Sequence, residues 1–218
     1  MKHHALVLAT SLLALTVAAC DNDPSKGKAQ ATVAAPASTA AAAPASAVNH
    51  AFSNVDSKIA FVGAKVTRKH DGSFETFTGA VNLAENDPEK SRVTAEIDVA
   101  SLKTDEEKLT AHLKSSDLLD VAKYPKAKFV STSVKRRGDN GAYTVTGNLE
   151  LHGVTKSITF PATIKAEGDA VTVDAEFAIN RKDFGVVYPG MPDDLIKDDV
   201  LLKLRIRAAK AADKNVGL

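Results

Sequence analysis

Apolar and polar residues alternate along most of the chain beyond residue 50. Successive side chains of a β-strand point to opposite faces, so a period of two predicts strands with one buried face and one exposed face. About eight segments show this pattern, most clearly residues 143–151 and 171–179. Their apolar positions are Ile59 and Phe61; Phe77, Val81 and Leu83; Val93, Ala95, Ile97 and Val99; Phe129; Tyr143, Val145, Leu149 and Leu151; Ile158, Phe160 and Ile164; Val171, Val173, Ala175, Phe177 and Ile179; and Leu202, Leu204 and Ile206.

Turn-forming residues separate these segments at 70–72, 85–88, 138–141, 152–153 and 168–169. Short links between amphipathic strands are typical of an antiparallel meander. Such a meander covers its apolar face either by closing into a barrel or by stacking as a sandwich. We expect the barrel, which gives an all-β fold with an eight-stranded antiparallel β-barrel.

One helical segment interrupts the strands, between the third and the fourth. Thr104 followed by Glu107 matches a capping box, and Leu109 and Leu113 then share one helical face. A second short turn is expected to run through Leu118. The insertion could plug one end of the barrel or act as a lid over a ligand, and both roles stay open.

The N-terminus has the pattern of an export signal. Lys2 precedes an apolar run over residues 5–17, which is shorter than the roughly 20 residues that a membrane-spanning helix needs. Val17-Ala18-Ala19-Cys20 resembles the lipobox of bacterial lipoproteins, and Cys20 is the only cysteine in the chain. We therefore expect Cys20 to be lipidated and to anchor the protein to a membrane, with an ordinary cleaved signal as the alternative.

Composition then divides the chain into four parts. We expect a lipoprotein signal peptide over 1–19, a flexible Ala/Pro/Ser linker with the lipidated Cys20 over 20–50, a barrel domain over 51–210 and a tail over 211–218. A flexible linker of that length reaches roughly 30 Å. The lipobox implies the periplasmic side of a cell envelope, and Asp21 resembles an inner-membrane retention signal.

Charge and motif content narrow the function classes. The formal charge of +1 falls to 0 when Lys2 leaves with the signal, and the sequence has no basic stripe. Both features argue against nucleic acid as a partner. No nucleophile elbow, P-loop or dinucleotide fingerprint is present. Four scattered histidines beyond the signal are weak evidence for a metal. We expect no enzyme, no catalytic residues, no metal and no cofactor.

Several segments in order resemble the YceI-like family of polyisoprenoid-binding periplasmic proteins, from about Val55 to Ala209. They are Ser57–Lys65, Asp71–Phe74 with Phe77–Gly79, Ser101–Thr104, Leu109–Ser115, Asp117–Pro125, Gly147–Thr155 and Asn180–Gly185. The resemblance implies a lipocalin-like barrel whose elongated interior accommodates an isoprenoid chain. An eight-stranded barrel is wide enough to hold one small ligand.

Inward apolar positions and the helical insertion supply the candidate ligand-binding residues. For any one of them plain core packing is the stronger explanation, so only the set supports a cavity. The set is Phe61, Phe77, Val81, Leu83, Val93, Ile97, Leu109, Leu113, Leu118, Phe129, Val145, Leu149, Phe160, Val173, Phe177 and Ile179. His112, Arg181 and Lys182 are candidates for contacting a polar head group, and residues 184–195 form a second candidate lid.

Two functions follow from this reading. The first is an envelope lipoprotein that carries, stores or senses an isoprenoid-type lipid, such as a quinone or a polyprenyl compound, bound inside the barrel. The alternative is a filled barrel that serves as an envelope interaction or stress-response module without a bound lipid. A second copy of the chain, forming a homodimer, is a further partner that the sequence leaves open.

Overall fold

A computed structural model of the protein describes residues 22–38, 46–192 and 194–211. These ranges contain strands and a single α-helix, α1 (Glu107–Lys114). The strands are β1 (Ala29–Gln30), β2 (Thr32–Ala34), β3 (Val48–Ser53), β4 (Lys58–Ala64), β5 (Lys69–Phe74), β6 (Phe77–Ala84), β7 (Asp87–Asp98), β8 (Leu102–Thr104), β9 (Lys126–Arg136), β10 (Ala142–Leu151), β11 (Val154–Glu167), β12 (Ala170–Asn180), β13 (Gly190–Met191), β14 (Asp194–Leu195) and β15 (Asp199–Lys210). Short 3-10 helices lie at Val99–Ser101 and Arg181–Phe184.

Eight strands form a closed antiparallel ring. The hydrogen-bonded order is β3, β6, β7, β9, β10, β11, β12 and β15, and β15 returns to β3. At one end of the barrel, three further strands extend the first three wall strands after short breaks: β4 extends β3, β5 extends β6, and β8 extends β7. β4 also pairs with β15. The closed eight-stranded barrel is therefore confirmed, as is the position of α1 between the third and fourth wall strands.

The two ends of the barrel differ. The hairpin end carries the short turns near residues 85–86, 137–141 and 168–169. The loop end carries α1 with the segment that follows it and the long connection over residues 181–198. Among the described residues, the long irregular segments that could cover the interior therefore lie at the loop end.

Two local predictions need correction at the loop end. The turn expected at 70–72 lies at 65–68 instead, and Gly72 belongs to β5, where it faces the ring of Phe61. The capping box is not formed, because α1 begins at Glu107. The Thr104 hydroxyl instead donates to Glu106 O at 2.7 Å.

The alternating positions meet inside the ring. Val145 pairs with Phe160 and Val173 with Ile206, so apolar side chains of neighbouring strands share the inner face. Phe177 is 1% exposed. The period of two thus identified the inner face correctly on these strands.

The segment predicted as a flexible linker contributes to the barrel wall, which corrects that prediction. β11 and β12 pair only through Thr163–Glu167 and Ala170–Asp174, and they separate towards the loop end. There β1 pairs in parallel with β12, and β2 pairs in antiparallel with β11. We call residues 29–37 the strap, because this segment fills the gap between the two strands.

Apolar packing and specific hydrogen bonds hold the strap. Ala31 is buried and Val33 packs on the core, so this pair has the spacing of a strand with one inward face. The side-chain amide of Asn148 donates to Ala37 O at 2.7 Å and accepts from Ala37 N at 3.0 Å. Lys28 and Glu176 form an ion pair at 3.2 Å.

The barrel boundaries also shift slightly. The first wall strand begins at Val48 and not at residue 51, whereas β15 ends at Lys210 as expected. The predicted signal peptide over 1–19, the lipidation site Cys20 and Asp21 lie outside the described residues, and so do 212–218 of the predicted tail.

We expect Phe177→Asp to prevent folding, because it would place a carboxylate in the apolar interior, where an unpaired polar group costs several kcal/mol. Circular dichroism during heating should show no cooperative transition. Thr172→Asp lies on the outer face of the same strand and should unfold like the parent protein. A cooperative transition in Phe177→Asp at the parent temperature would contradict the assignment of Phe177 to the core.

We expect Asn148→Ala to loosen the strap without unfolding the barrel. Loss of two hydrogen bonds worth about 1 kcal/mol each should raise local opening roughly tenfold or more. Hydrogen exchange at the amides of residues 31–34 should accelerate accordingly. Asn82→Ala, an outward asparagine on β6, is the matched control and should leave this exchange unchanged. Equal rates in both variants would contradict the role of the Asn148 hydrogen bonds in holding the strap.

Candidate functional site

Aromatic rings occupy the barrel interior. Phe160 of β11 stacks on Phe177 of β12, with 4.1 Å between ring centroids and 13° between ring planes. The ring of Phe129 on β9 also packs near Phe160, with 5.9 Å between the two ring centroids. Rings from three wall strands therefore form a continuous apolar column.

Glycines on neighbouring strands make room for interior rings. Phe52 lies over Gly79, its direct partner across β3 and β6, and Phe61 lies over Gly72 across β4 and β5. A Cβ atom at either glycine would overlap the ring. Phe129 covers Gly147 in the same way. At these glycines there is no side chain to fill the interior, and the neighbouring aromatic ring lies flat against the backbone and fills that volume instead.

All of the candidate lining residues on strands face this interior. All of them except Phe61 pack in one core. Phe61 faces inward because it pairs with Leu202, and its ring centroid lies 5.7 Å from that of Phe74. The core members of the set are Phe77, Val81, Leu83, Val93, Ile97, Phe129, Val145, Leu149, Phe160, Val173, Phe177 and Ile179. Their contact with a ligand stays a prediction.

The candidates on the insertion stand apart from the core. Leu109 and Leu113 of α1 are half-buried, and Leu118 beyond the helix is buried at 4% exposure. None of the three belongs to the core group of the described residues, and α1 contributes no buried residue. The helix therefore lies at the loop end, outside the packed interior.

α1 meets the long connection at an aromatic contact. The rings of His112 and Tyr188 are perpendicular, with 5.1 Å between centroids. His112 Nε2 also lies 3.4 Å from Asp117 Oδ2. This contact joins the two segments that were predicted as lids, so they close the loop end together.

Arg181 organises the long connection. Its guanidinium donates from Nη1 to Val186 O at 2.6 Å, from Nε to Lys197 O at 3.2 Å and from Nη2 to Asp198 Oδ1 at 3.2 Å. Burial lowers the pKa of Arg181 from its usual value, and the nearby Asp198 opposes this shift. A buried cation with three acceptors ties both ends of the connection to the barrel rim.

These contacts bear on the three head-group candidates. The Arg181 donors are engaged within the chain, and Lys182 Nζ donates to Asp198 Oδ2 at 2.8 Å. His112 is half-buried in the seam between the two covering segments. The structure thus brings Arg181 and Lys182 together on Asp198, and it places His112 on a different part of the cover.

Sequence reasoning missed several polar groups on the inner face. His50 is 4% exposed, and its Nδ1 lies 3.2 Å from Val48 O. Ser131 accepts a hydrogen bond from Val93 N at 2.8 Å. His70, also inward, lies 2.9 Å from Asp105 Oδ1. The alternation contained the signal for His50, because it lies two residues before Phe52 on one strand.

The interior polar groups are satisfied within the part of the chain that the structure describes. No buried side-chain nitrogen or oxygen there lacks a hydrogen-bond partner. The same residues contain no cluster of three or more histidine, cysteine or acidic side chains that could hold a metal ion. What the inner face offers a ligand is mainly apolar surface.

A groove of about 770 Å³ lies on the outer face, across β8, β5, β4, β15 and β12. Charged side chains of both signs line it, including Lys103, Lys203, Asp71 and Glu176. A second groove of about 270 Å³ lies over outward residues of β11 and β12. Both are open surfaces separated by the wall from the aromatic column.

In the part of the chain that the structure describes, no helix is both long and apolar enough to cross a bilayer.

Comparisons with known proteins agree with this architecture. The model of the YceI-like domain matches residues 48–208. A UPF0312 protein of Pseudomonas putida strain F1 is 40% identical over 157 residues, covering 69% of this chain and 79% of that protein. A UPF0312 protein of Pseudomonas fluorescens strain SBW25 is 36% identical over 160 residues, covering 71% and 80%.

Solved structures share the fold. Burkholderia cenocepacia BcnA superimposes with a TM-score of 0.64 at 27% identity, covering 72% of this chain and 98% of BcnA. A polyisoprenoid-binding domain from Saccharophagus degradans, implicated in plant cell wall breakdown, gives a TM-score of 0.61 at 15% identity, covering 74% and 99%. The matched family region runs from β3 into β15 and so includes all eight wall strands, and the chain belongs to the YceI-like domain family.

Proposed function

We propose that this protein binds the apolar chain of an isoprenoid-type lipid, such as a quinone or a polyprenyl compound, inside its barrel. It would carry, store or sense that lipid at a cell envelope. The observation that carries the proposal is the aromatic column within a closed wall, formed by Phe129, Phe160 and Phe177. Such a surface recognises an apolar chain by burial and requires few directed polar contacts.

The glycine contacts explain how a filled interior could accept a ligand. A ring that lies over a glycine is held by contact with backbone, and a change of rotamer would free a strip of volume along two strands. Phe52 and Phe61 have this arrangement at different heights of the wall. Each CH₂ group that a ligand buries there contributes about 0.8 kcal/mol, so a few isoprene units would offset moderate rearrangement.

The structural comparison supports the same ligand class. The Saccharophagus degradans domain with this fold is a polyisoprenoid-binding domain. Fold similarity alone does not transfer a function, so the support depends on the match between that ligand and the apolar interior of this chain.

Membrane attachment is part of the proposal. Cys20 follows a lipobox-like sequence, and acyl chains on its thiol would hold the protein on the periplasmic side of the envelope. Asp21 favours the inner membrane under the common sorting rule. Lipidation would also remove the only free thiol from an oxidising compartment.

A binding protein fits the interior better than an enzyme does. General acid–base or nucleophilic chemistry needs polar groups that converge on one reacting atom. His50, His70 and Ser131 face inward but contact separate partners. The second candidate function, a filled barrel that acts as an envelope interaction or stress-response module, is favoured by the dense packing of Phe160 on Phe177.

Native mass spectrometry with solvent extraction separates the two functions. The mature chain with Cys20→Ser, which keeps the strap, would be purified from a bacterial host without added lipid. We expect a stoichiometric isoprenoid or quinone to be retained. An empty protein that also takes up no quinone or polyprenyl lipid on titration would support the filled-barrel module and exclude our proposal.

We expect Leu113→Ala to accelerate ligand release several-fold with little loss of stability, because Leu113 is half-buried on α1 and lies outside the core. Release of a fluorescent isoprenoid and thermal unfolding would be measured on the same samples. Leu102→Ala, at a site 1% exposed, is the control that should lower stability by about 2–5 kcal/mol. If retention and stability fall in strict parallel across the variants, α1 is not a separable lid.

A further inference from the structure

The first described residues are fastened to the loop end of the barrel. Asn22 donates from Nδ2 to Val66 O at 2.9 Å, and Lys69 Nζ donates to Asp23 O at 3.3 Å. Ser25 Oγ donates to Asp199 Oδ2 at 3.1 Å. The chain therefore reaches the barrel at the loop end before it continues into the strap.

This attachment leaves little free chain after the predicted lipidation site. Cys20 lies two residues before Asn22, and two extended residues span at most about 7 Å. The roughly 30 Å reach of a flexible linker is therefore not available between the anchor and the first contact. An acylated Cys20 would hold the loop end close to the lipid surface.

The same end exposes a group of large apolar side chains. Val66 is 51% exposed, Val187 63%, Met191 60% and Leu195 48%. We call these four residues the apolar rim. Among the described residues, the other exposed large apolar side chains are Val48 at 41% and Val55 at 82%. The rim therefore holds most of the exposed large apolar surface.

Backbone contacts join the segments that carry the rim. Val66 N donates to Leu195 O at 3.0 Å, and Leu195 pairs with Gly190 between β14 and β13. Ile196 N donates to Pro189 O at 3.1 Å. The turn at 65–68 and the hairpin within 186–197 thus lie side by side, where Asn22 also attaches. The register of the hairpin places Met191 and Leu195 on its opposite faces, so the hairpin exposes apolar side chains on both of its faces.

We propose that the loop end is a membrane-docking face. The apolar rim inserts into the interfacial region of the bilayer that holds the acylated Cys20, and the hairpin end points away from the lipid. This inference rests on the proposed anchorage. Isolated apolar side chains bind a bilayer weakly. Here the anchor at Cys20 lies only two residues before Asn22, which contacts the rim residue Val66, so it would hold the rim at a high effective concentration near the bilayer.

Charge near the rim does not select a lipid head group. Arg68 lies 3.7 Å from Glu106, and Lys182 is paired with Asp198. Charges of both signs lie at this end, so docking depends on apolar insertion. We expect it on zwitterionic phosphatidylcholine bilayers and expect only weak dependence on salt.

The docked orientation assigns a direction to ligand exchange. α1 and the connection over 181–198 cover the same end that carries the rim. Their seam at His112 and Tyr188 therefore faces the bilayer. An isoprenoid chain could then pass between the bilayer and the aromatic column without crossing water.

The chain contains one cysteine and no tryptophan, which makes the test direct. The chain from Cys20 onward would be coupled through that thiol to a maleimide phospholipid in phosphatidylcholine vesicles. Val187→Trp and Met191→Trp place a reporter on the rim. Val55→Trp is the matched control, at an exposed valine two residues before Ser57, which hydrogen-bonds Arg207 towards the hairpin end.

We expect emission from the tryptophans at positions 187 and 191 to shift to the blue and to be quenched by lipids brominated near the head group. Emission at position 55 should change in neither respect. Equal quenching at all three positions, or none at the rim, would overturn the docking face. Unchanged thermal unfolding confirms that each variant is folded.

This experiment separates docking from the proposed function. Chemical coupling supplies the anchor whether or not the cell acylates Cys20, so absence of native lipidation would contradict the anchorage and leave the docking result standing. Rim quenching without isoprenoid binding would support the docking face while contradicting the ligand. Isoprenoid binding without rim quenching would contradict the docking face alone.

Discussion

The architecture depends on finding a hydrogen-bond partner for every edge of the barrel wall. β12 and β15 pair along nearly their whole length and close the ring. The difficulty lies between β11 and β12, which separate beyond Thr163 and Asp174 towards the loop end. The strap supplies the missing pairing there, so the aromatic column is enclosed by a wall that the eight main strands do not complete alone.

The sequence was sufficient for the barrel and insufficient for the strap, for one physical reason. The alternation of apolar and polar residues over 143–151 and 171–179 identifies the inner face of each strand, and it does so without knowledge of which strands are neighbours. In the strap only Ala31 and Val33 carry that signal, amid alanine, threonine and proline typical of a linker. Their burial is decided by a gap between strands that are distant in sequence, and local pattern carries no information about that gap.

The candidate site shows the same division. The inward positions of Phe160 and Phe177 follow from alternation. That Phe129 lies over Gly147 does not, because glycine carries no hydropathy signal that reports a ring above it. Arg181 was selected as a polar candidate near an element end, but its role depends on acceptors from Val186 and Lys197 that converge only in the fold. Chemistry that arises from convergence was out of reach of the sequence.

The strap also has a consequence for the order in which the protein can assemble. Ala37 and its hydrogen-bond partner Asn148 are separated by 111 positions, and β1 joins a strand still later in the chain. Residues near the N-terminus are thus the ones that finish the wall, and they must wait for the later strands to form the gap. Assembly cannot be purely vectorial, and the slow closure of long-range contacts sets when the interior becomes sealed.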